Sequence, residues 1–314
     1  MNQGEHNRFS ECGWLGRFSS VFTPPGSNTP DIVQSVTGRV FVAQSSEAFT
    51  HDDDGNMLSD GRFTYTWNGQ NRLIKAEEQV CPTNRTLRKV DYAYDHQGRM
   101  VWKVVSRRGA EAQSWEAEKK TSYLWEKFNI IAETVASDSA TNVTYNIWGL
   151  DIDGSMQGAG GVGGLLAVVK DTAIYIPAWD ANGNIIEYSA NEGTIVAHRE
   201  YDPFGGTVVY TSQSALTNQQ SAMSFTHWFS TKPWCPVTGL SEYQYRKYSP
   251  AMGRWMSRDP GDEYNSRNVY YFLGNKPVSS LDLYGLVESS SSYCCCCAEN
   301  IYFVNIQKPK LGSV

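Results

Sequence analysis

One short unit recurs along this chain and limits what it can fold into. It is an aromatic residue, an Asp or a substitute, two or three turn residues that include Gly or Asn, and then an apolar pair. Clear copies run Phe49 to Leu58, Tyr92 to Val101, Trp179 to Ile186 and Tyr201 to Val208; weaker ones run Trp67 to Leu73 and Trp125 to Ile131. Each reads as a β-hairpin. Asp or Asn ends the first strand by accepting a hydrogen bond from the backbone two residues on, and Gly or Asn supplies the positive φ of the tight turn. The flanks alternate with period two, as in Val90-Asp91-Tyr92-Ala93-Tyr94 and Thr64-Tyr65-Thr66-Trp67. Repeated six times, the unit predicts an all-β chain built as a series of antiparallel hairpins. The spacing between copies varies, so a strict solenoid period is not supported.

The composition agrees. Aromatic residues make up 13% of the 314 residues and charged residues only 19%, with 18 Tyr, 10 Trp and 27 Gly. Aromatic rings suit pleated, half-buried surfaces, and glycine suits many turns. A net charge of −6 without a dense basic cluster argues against nucleic-acid binding. The first thirteen residues are polar and hold no signal-peptide core, and the longest aliphatic run, Leu165 to Val169, is too short to cross a bilayer. Seven cysteines, four of them consecutive at Cys294 to Cys297, form no familiar disulfide framework.

Four regions follow. Residues 1–35, with Pro24, Pro25, Gly26 and Pro30, are expected to be poorly ordered; 36–238 hold the hairpin repeats; 239–286 form a denser aromatic segment; 287–314 are a short cysteine-containing tail.

Tyr201-Asp202-Pro203-Phe204-Gly205 and Asp180-Ala181-Asn182-Gly183-Asn184 resemble the YD repeats of Rhs proteins. The run Gly239 to Pro260, with Tyr243, Tyr245, Tyr248, Pro250, Gly253, Arg254, Trp255, Ser257, Asp259 and Pro260, is similar to the Rhs repeat-associated core. Asn268 to Val278 and Asp282-Leu283-Tyr284-Gly285-Leu286 extend the match, which covers roughly Val36 to Leu286. The resemblance implies a curved, incomplete Rhs-type β-sheet shell that encapsulates or presents a C-terminal polypeptide, secreted or at the cell surface. Its partners would be the chain's own tail or a toxin segment. Exposed sheet edges would favour self-association.

The resemblance also implies a site. Family members are proposed to cut their own chain after the final leucine with two aspartates, here Asp259 and Asp282, with Arg258 as a charge partner and Leu286–Val287 as the bond. Two close carboxylates cannot both ionise easily, so one keeps a proton while the other activates water. This chain departs from the pattern in having its glycine shifted to Gly261 and Leu283 in place of a proline. On the residues alone, and with the motif altered, the reading favoured is that both aspartates are ordinary turn formers. A third reading is a carbohydrate-binding module using exposed Trp67, Trp125 and Trp179.

Other signals are weaker. Gly158 to Gly163 satisfies G-x-G-x-x-G but lacks the strand before it and the helix after it, so it reads as a glycine hairpin. Asp52 to Asn56 and Asp151 to Gly154 lack the remaining calcium-loop ligands and read as turns. The five histidines show no metal-site spacing, and four adjacent cysteines are poorly arranged around one tetrahedral ion. No cofactor and no metal are expected.

Overall fold

The computed structural model describes residues 14–22, 32–40, 47–79, 86–109, 114–212, 225–260, 268–278, 280–286 and 288–289. Among these residues there is no α-helix. Strand β1 (Trp14–Phe22) pairs antiparallel with β2 (Ile32–Val40) as a separate hairpin. It begins within the stretch expected to be poorly ordered. Its strands carry Trp14, Phe18, Phe22, Val33 and Val36, residue types that suit an extended chain. Pro24, Pro25, Gly26 and Pro30 lie outside the described residues.

The main body is one antiparallel sheet of fourteen strands whose order in space is their order in the chain. Its first half is β3 (Thr50–His51), β4 (Met57–Ser59), β5 (Phe63–Trp67), β6 (Leu73–Glu78), β7 (Leu87–Tyr94), β8 (Met100–Arg108) and β9 (Glu116–Glu126). Its second half is β10 (Asn129–Ala136), β11 (Thr141–Trp148), β12 (Leu165–Lys170), β13 (Ala173–Trp179), β14 (Ile185–Ala190), β15 (Ile195–Tyr201) and β16 (Thr207–Ser212). The sheet does not close, since β3 and β16 stand at opposite edges. The expected all-β, curved and incomplete shell of hairpins is the architecture observed.

The repeat turns share one geometry. At Asp52, Asn68, Asp95, Asp180 and Asp202 the backbone N–H donates to the carbonyl four residues on, at 2.8 to 3.0 Å. The side-chain Oδ1 of each accepts from the N–H of that same fourth residue. In four of the five it also accepts from the N–H two residues on, as the sequence predicts. The residue three positions on, Gly55, Asn71, Gly98, Gly183 or Gly205, holds φ between 57 and 85°. The Trp125 copy has Glu126 in place of Asp and makes a shorter turn, with Lys127 at φ 49°.

Five aromatic residues at the ends of strands fasten neighbouring strands where their ladder ends; Trp179, ahead of the Asp180 turn, does not, and its indole N–H has no acceptor among the described residues. Trp67 Nε1 donates to Met57 O at 2.7 Å, Tyr94 Oη to Leu73 O at 2.7 Å and Trp125 Nε1 to Met100 O at 2.8 Å. Trp148 Nε1 to Ile130 O at 2.8 Å and Tyr201 Oη to Ile185 O at 2.7 Å repeat the arrangement. Each acceptor sits at the exit of the preceding turn on the adjacent strand. Phenylalanine cannot make this bond, which accounts for Tyr or Trp at these five positions.

The described residues between 225 and 286 form an inner layer against one face of the sheet. It contains a small sheet of β17 (Ser241–Glu242), β18 (Lys247–Ser249) and β19 (Arg254–Trp255), and a hairpin of β20 (Leu281–Asp282) with β21 (Glu288–Ser289). Cys235, Leu240 and Met256 join Met57, Phe63, Leu73, Val90 and Ile130 in one buried cluster. Phe225 and Trp228 join Leu165, Ile185 and Tyr188 in a second. Ion pairs and cation–π contacts also cross the boundary. Lys103 Nζ lies 2.8 Å from Glu242 Oε2, and the Arg199 guanidinium lies 4.0 Å from the Trp228 ring centroid. The inner layer thus takes in residues 225–238 as well as 239–286.

Candidate functional site

The dense run 239–286 folds around aromatic residues. Tyr248 stacks on Phe272 at 4.1 Å, and Tyr243 meets the edge of Trp255 at 5.0 Å. All four rings are fully buried. Arg246 lies over Trp255, 4.1 Å from its centroid, which pins a guanidinium inside the protein.

That guanidinium brings the two predicted aspartates together. Arg246 Nη2 is 2.8 Å from Asp259 Oδ2 and 3.3 Å from Asp282 Oδ2, with all three side chains buried. Its Nε donates to Gly285 O at 2.5 Å. Asp282 Oδ1 accepts from the N–H groups of Tyr284 at 3.2 Å, Gly285 at 2.6 Å and Leu286 at 3.1 Å. Burial pushes the Asp282 carboxyl above the usual carboxylate range, against the pull of Arg246 and the three N–H groups. A cavity of about 60 Å³ is lined by Arg246, Asp259 and Asp282 together with Trp255, Asn268 and Tyr271. It is polar and has room for water.

The segment before the predicted bond is held on its carbonyl side as well. Tyr245 N donates to Tyr284 O at 3.1 Å, and Lys232 Nζ donates to Leu283 O at 2.7 Å. Leu283, where the resemblance leads to an expected proline, is accommodated in this grip. Val287, Gly261 and Cys294 to Cys297 lie outside the described residues.

Arg258 is placed elsewhere. It is exposed, and its aliphatic stem lies against Gly55. Arg246, not Arg258, reaches both carboxylates. Sequence reasoning missed Arg246, although an arginine set among Tyr243, Tyr245 and Tyr248 carries a signal: a cation buried by aromatic neighbours needs an anion.

The three tryptophans considered for glycan binding are half-buried. Trp67 and Trp125 pack against the first core cluster and Trp179 against the second. The rings face the interior, and the indole N–H of Trp67 and Trp125 is spent on the backbone. The glycine loop also faces inward: Asp151 Oδ2 accepts from Ala159 N at 2.8 Å and Gly161 N at 3.1 Å. Among the described residues, no three His, Cys, Asp or Glu side chains gather as metal ligands.

A shell of stitched hairpins with an aromatic inner layer and a gripped segment at 283–286 defines an Rhs-like fold, and comparison with known proteins agrees. The chain is 27% identical over 251 residues to the tRNA nuclease WapA of Bacillus subtilis, covering 76% of this chain and 9% of that protein. It is 34% identical over 94 residues to the toxin subunit YenC1 of Yersinia entomophaga, covering 30% of this chain and 9% of the relative. The crystal structure of TcdB2-TccC3 superposes with a TM-score of 0.59 at 23% identity, over 75% of this chain and 11% of that one. The Photorhabdus luminescens Tc holotoxin pore gives a TM-score of 0.59 at 21% identity, over 77% and 11%. No protein-family profile matches the chain. The chain therefore has an Rhs-like fold related to that of toxin components, and it spans about a tenth of the length of the proteins it resembles. No helix among the described residues is long and apolar enough to cross a membrane.

Proposed function

We propose that this chain is the closing part of a secreted or surface-exposed Rhs-type shell that holds the polypeptide following Leu286. The observation that supports this best is the grip on residues 283–286. Four groups buried or packed in the inner layer, Asp282, Arg246, Lys232 and the Tyr245 backbone, bond to the main chain of a four-residue stretch. Main-chain bonds hold a segment whatever its side chains, as presenting a variable C-terminal polypeptide requires. Protease protection tests this reading. In the folded chain the tail 287–314 should resist a nonspecific protease until denaturant opens the sheet, and immediate trimming of the tail at full stability would refute encapsulation.

A second reading, self-cleavage at Leu286–Val287, is favoured by the shared Arg246. One guanidinium holds Asp259 and Asp282 beside a polar cavity, and Asp282 contacts the N–H of Leu286. In this reading Asp259, 2.8 Å from Arg246 Nη2, takes a proton from water as the water oxygen adds to the Leu286 carbonyl carbon. Asp282, inclined by burial to keep its proton, polarises that carbonyl. Asp259 then delivers that proton to the Val287 nitrogen as the C–N bond breaks, leaving a carboxyl group on Leu286 and an amino group on Val287. Intact mass decides the matter: a fragment beginning at Val287, absent in Asp282→Asn, supports cleavage, and an unsubstituted chain that stays whole rules it out.

A further inference from the structure

The glycine loop 158–164 satisfies a nucleotide-binding pattern, yet its polar backbone is directed inward. Ala159 N and Gly161 N donate to the Asp151 carboxylate, and Gly163 N donates to Thr231 Oγ1 at 2.8 Å. The Gly160 carbonyl accepts from Lys232 Nζ at 2.8 Å. The same Nζ donates to Leu283 O at 2.7 Å, four residues before the predicted cut. The Gly160 backbone lies so close to Leu283 that a side chain at position 160 would overlap the Leu283 carbonyl. Nearby, Tyr284 Oη donates to Gln157 O at 2.7 Å.

We propose that the glycine loop and Lys232 together form a bracket that positions residues 283–286 for the aspartate pair, with Lys232 as its positioning residue. The inference rests on the self-cleavage reading for its consequence, though not for the bracket itself. Three bodies meet at one buried nitrogen: the loop after β11, the turn at Phe229–Thr231 that precedes Lys232, and the hairpin that carries Asp282. In that turn Ser230 and Thr231 hold φ of 51 and 53°, a left-handed conformation costly for residues with side chains. Asn184 Oδ1 accepts from Ser230 N at 2.8 Å, and Thr231 Oγ1 donates to Gly183 O at 2.7 Å, which fixes this strained approach. The geometry explains two glycines by their neighbours. Gly160 has φ +62° and a carbonyl in the place of its side chain; Gly161 has φ +79° and the Asn129 amide there.

Charge supports the arrangement. Burial lowers Lys232 to about 7, while Asp282 and Asp151 pull the other way. His227 and the Tyr243 ring, 5.4 Å from Nζ, also face the amine. As pH rises through this value the amine loses its charge beside Asp282 and one of its N–H donors.

Two measurements on the full chain test the proposal. The first is amide hydrogen exchange in the Asp259→Asn background, which keeps the chain whole. Lys232→Met should speed exchange at residues 284–286 about tenfold while leaving the β5–β8 region unchanged. Gly160→Ala, which retains the lysine but displaces the Leu283 carbonyl, should do the same. The second is the rate of fragment release. The unsubstituted chain should lose rate between pH 6 and 8, and Lys232→Met should lower the rate about tenfold and remove that fall. A uniformly slower rate with the same pH dependence would make Lys232 merely structural and overturn its positioning role. Unchanged exchange at 284–286 in both variants overturns the bracket whether or not the chain cuts itself. If the unsubstituted chain releases no fragment, the cleavage reading fails and the exchange result alone decides the bracket.

Discussion

Lys103 Nζ on β8 and Glu242 Oε2 on β17 lie 2.8 Å apart with both side chains buried, an ion pair that joins the large sheet to the inner layer. Burial alone would neutralise Lys103, yet Glu242 holds its pKa well above the usual value; the lysine in turn holds Glu242 low. Each charge is therefore kept by the other. Lys103→Met should destabilise the chain by about 3 kcal/mol, because it leaves a buried carboxylate without its closest partner. Lys103→Met with Glu242→Leu should recover most of the loss. Urea unfolding midpoints check this; a double variant no more stable than the single one contradicts it.

The stitching bonds predict a smaller, repeated effect. Tyr201→Phe keeps the ring but removes the donor to Ile185 O, and Tyr94→Phe removes the donor to Leu73 O. Each should cost about 1 kcal/mol by losing a part-buried hydrogen bond. The two residues stand eight strands apart in the meander, so their effects should add. Equilibrium unfolding of the single and double variants measures both quantities. A loss well below that scale at both sites would mean that the ring's packing, not its polar end, maintains the position.

His227 gives the fold a pH dependence. Burial lowers its pKa from 6.5 to about 4, so the ring is neutral in the folded protein at neutral pH. Between those values the unfolded chain binds a proton that the folded chain does not. Its contribution is therefore complete above about pH 6.5 and is lost as pH falls toward about 4, a decline of about 3 kcal/mol. His227→Gln should flatten the stability curve across that window. Unfolding midpoints at pH 7 and 4.5 provide the comparison, and parallel slopes for the two chains would contradict the assignment.

Local chemistry made the hairpins legible. Asp95 and Gly98 act within five residues of chain, and their roles follow from backbone geometry without knowledge of the rest of the fold. The order of the sheet was legible for the same reason, since each strand pairs with the next. The inner layer was not, because its contacts join residues far apart in sequence. Glu133, Lys103 and Arg199 interrupt the apolar pattern of their strands with charges, yet all are buried. Glu133 meets Thr226 and Asn146 there, and Arg199 meets Trp228 and Trp234. The tryptophans posed the opposite difficulty: an indole ahead of a turn is equally consistent with facing out or in, and only the position of its acceptor decides.

The site was legible through its aspartates and hidden in its arginine. Arg258 precedes Asp259 directly, but adjacent side chains on an extended chain point to opposite sides, so the nearest arginine in sequence is the wrong one in space. Arg246 enters from β17 to β18, braced on Trp255, and its fork reaches Asp259, Asp282 and the Gly285 carbonyl together.

If the pair cuts the chain, the two arginines should separate cleanly. Arg246→Lys keeps the charge but not the planar fork. A single ammonium cannot keep both carboxylates and the carbonyl in register, so fragment release should slow about a hundredfold. Arg246→Met should do at least as much and should also destabilise the fold, since Asp259 and Asp282 would lose the buried guanidinium that lies between them. Arg258→Ala should leave the rate within about threefold, because an exposed side chain lying against Gly55 gives only weak, solvent-screened influence over a buried carboxylate. Intact mass followed over time measures all three. Equal loss in Arg246→Lys and Arg258→Ala would mean that net charge near Asp259 governs the reaction. Loss confined to Arg246 ties it to the fork geometry, and thus to the aromatic seat that Tyr243, Tyr248, Trp255 and Phe272 build beneath it.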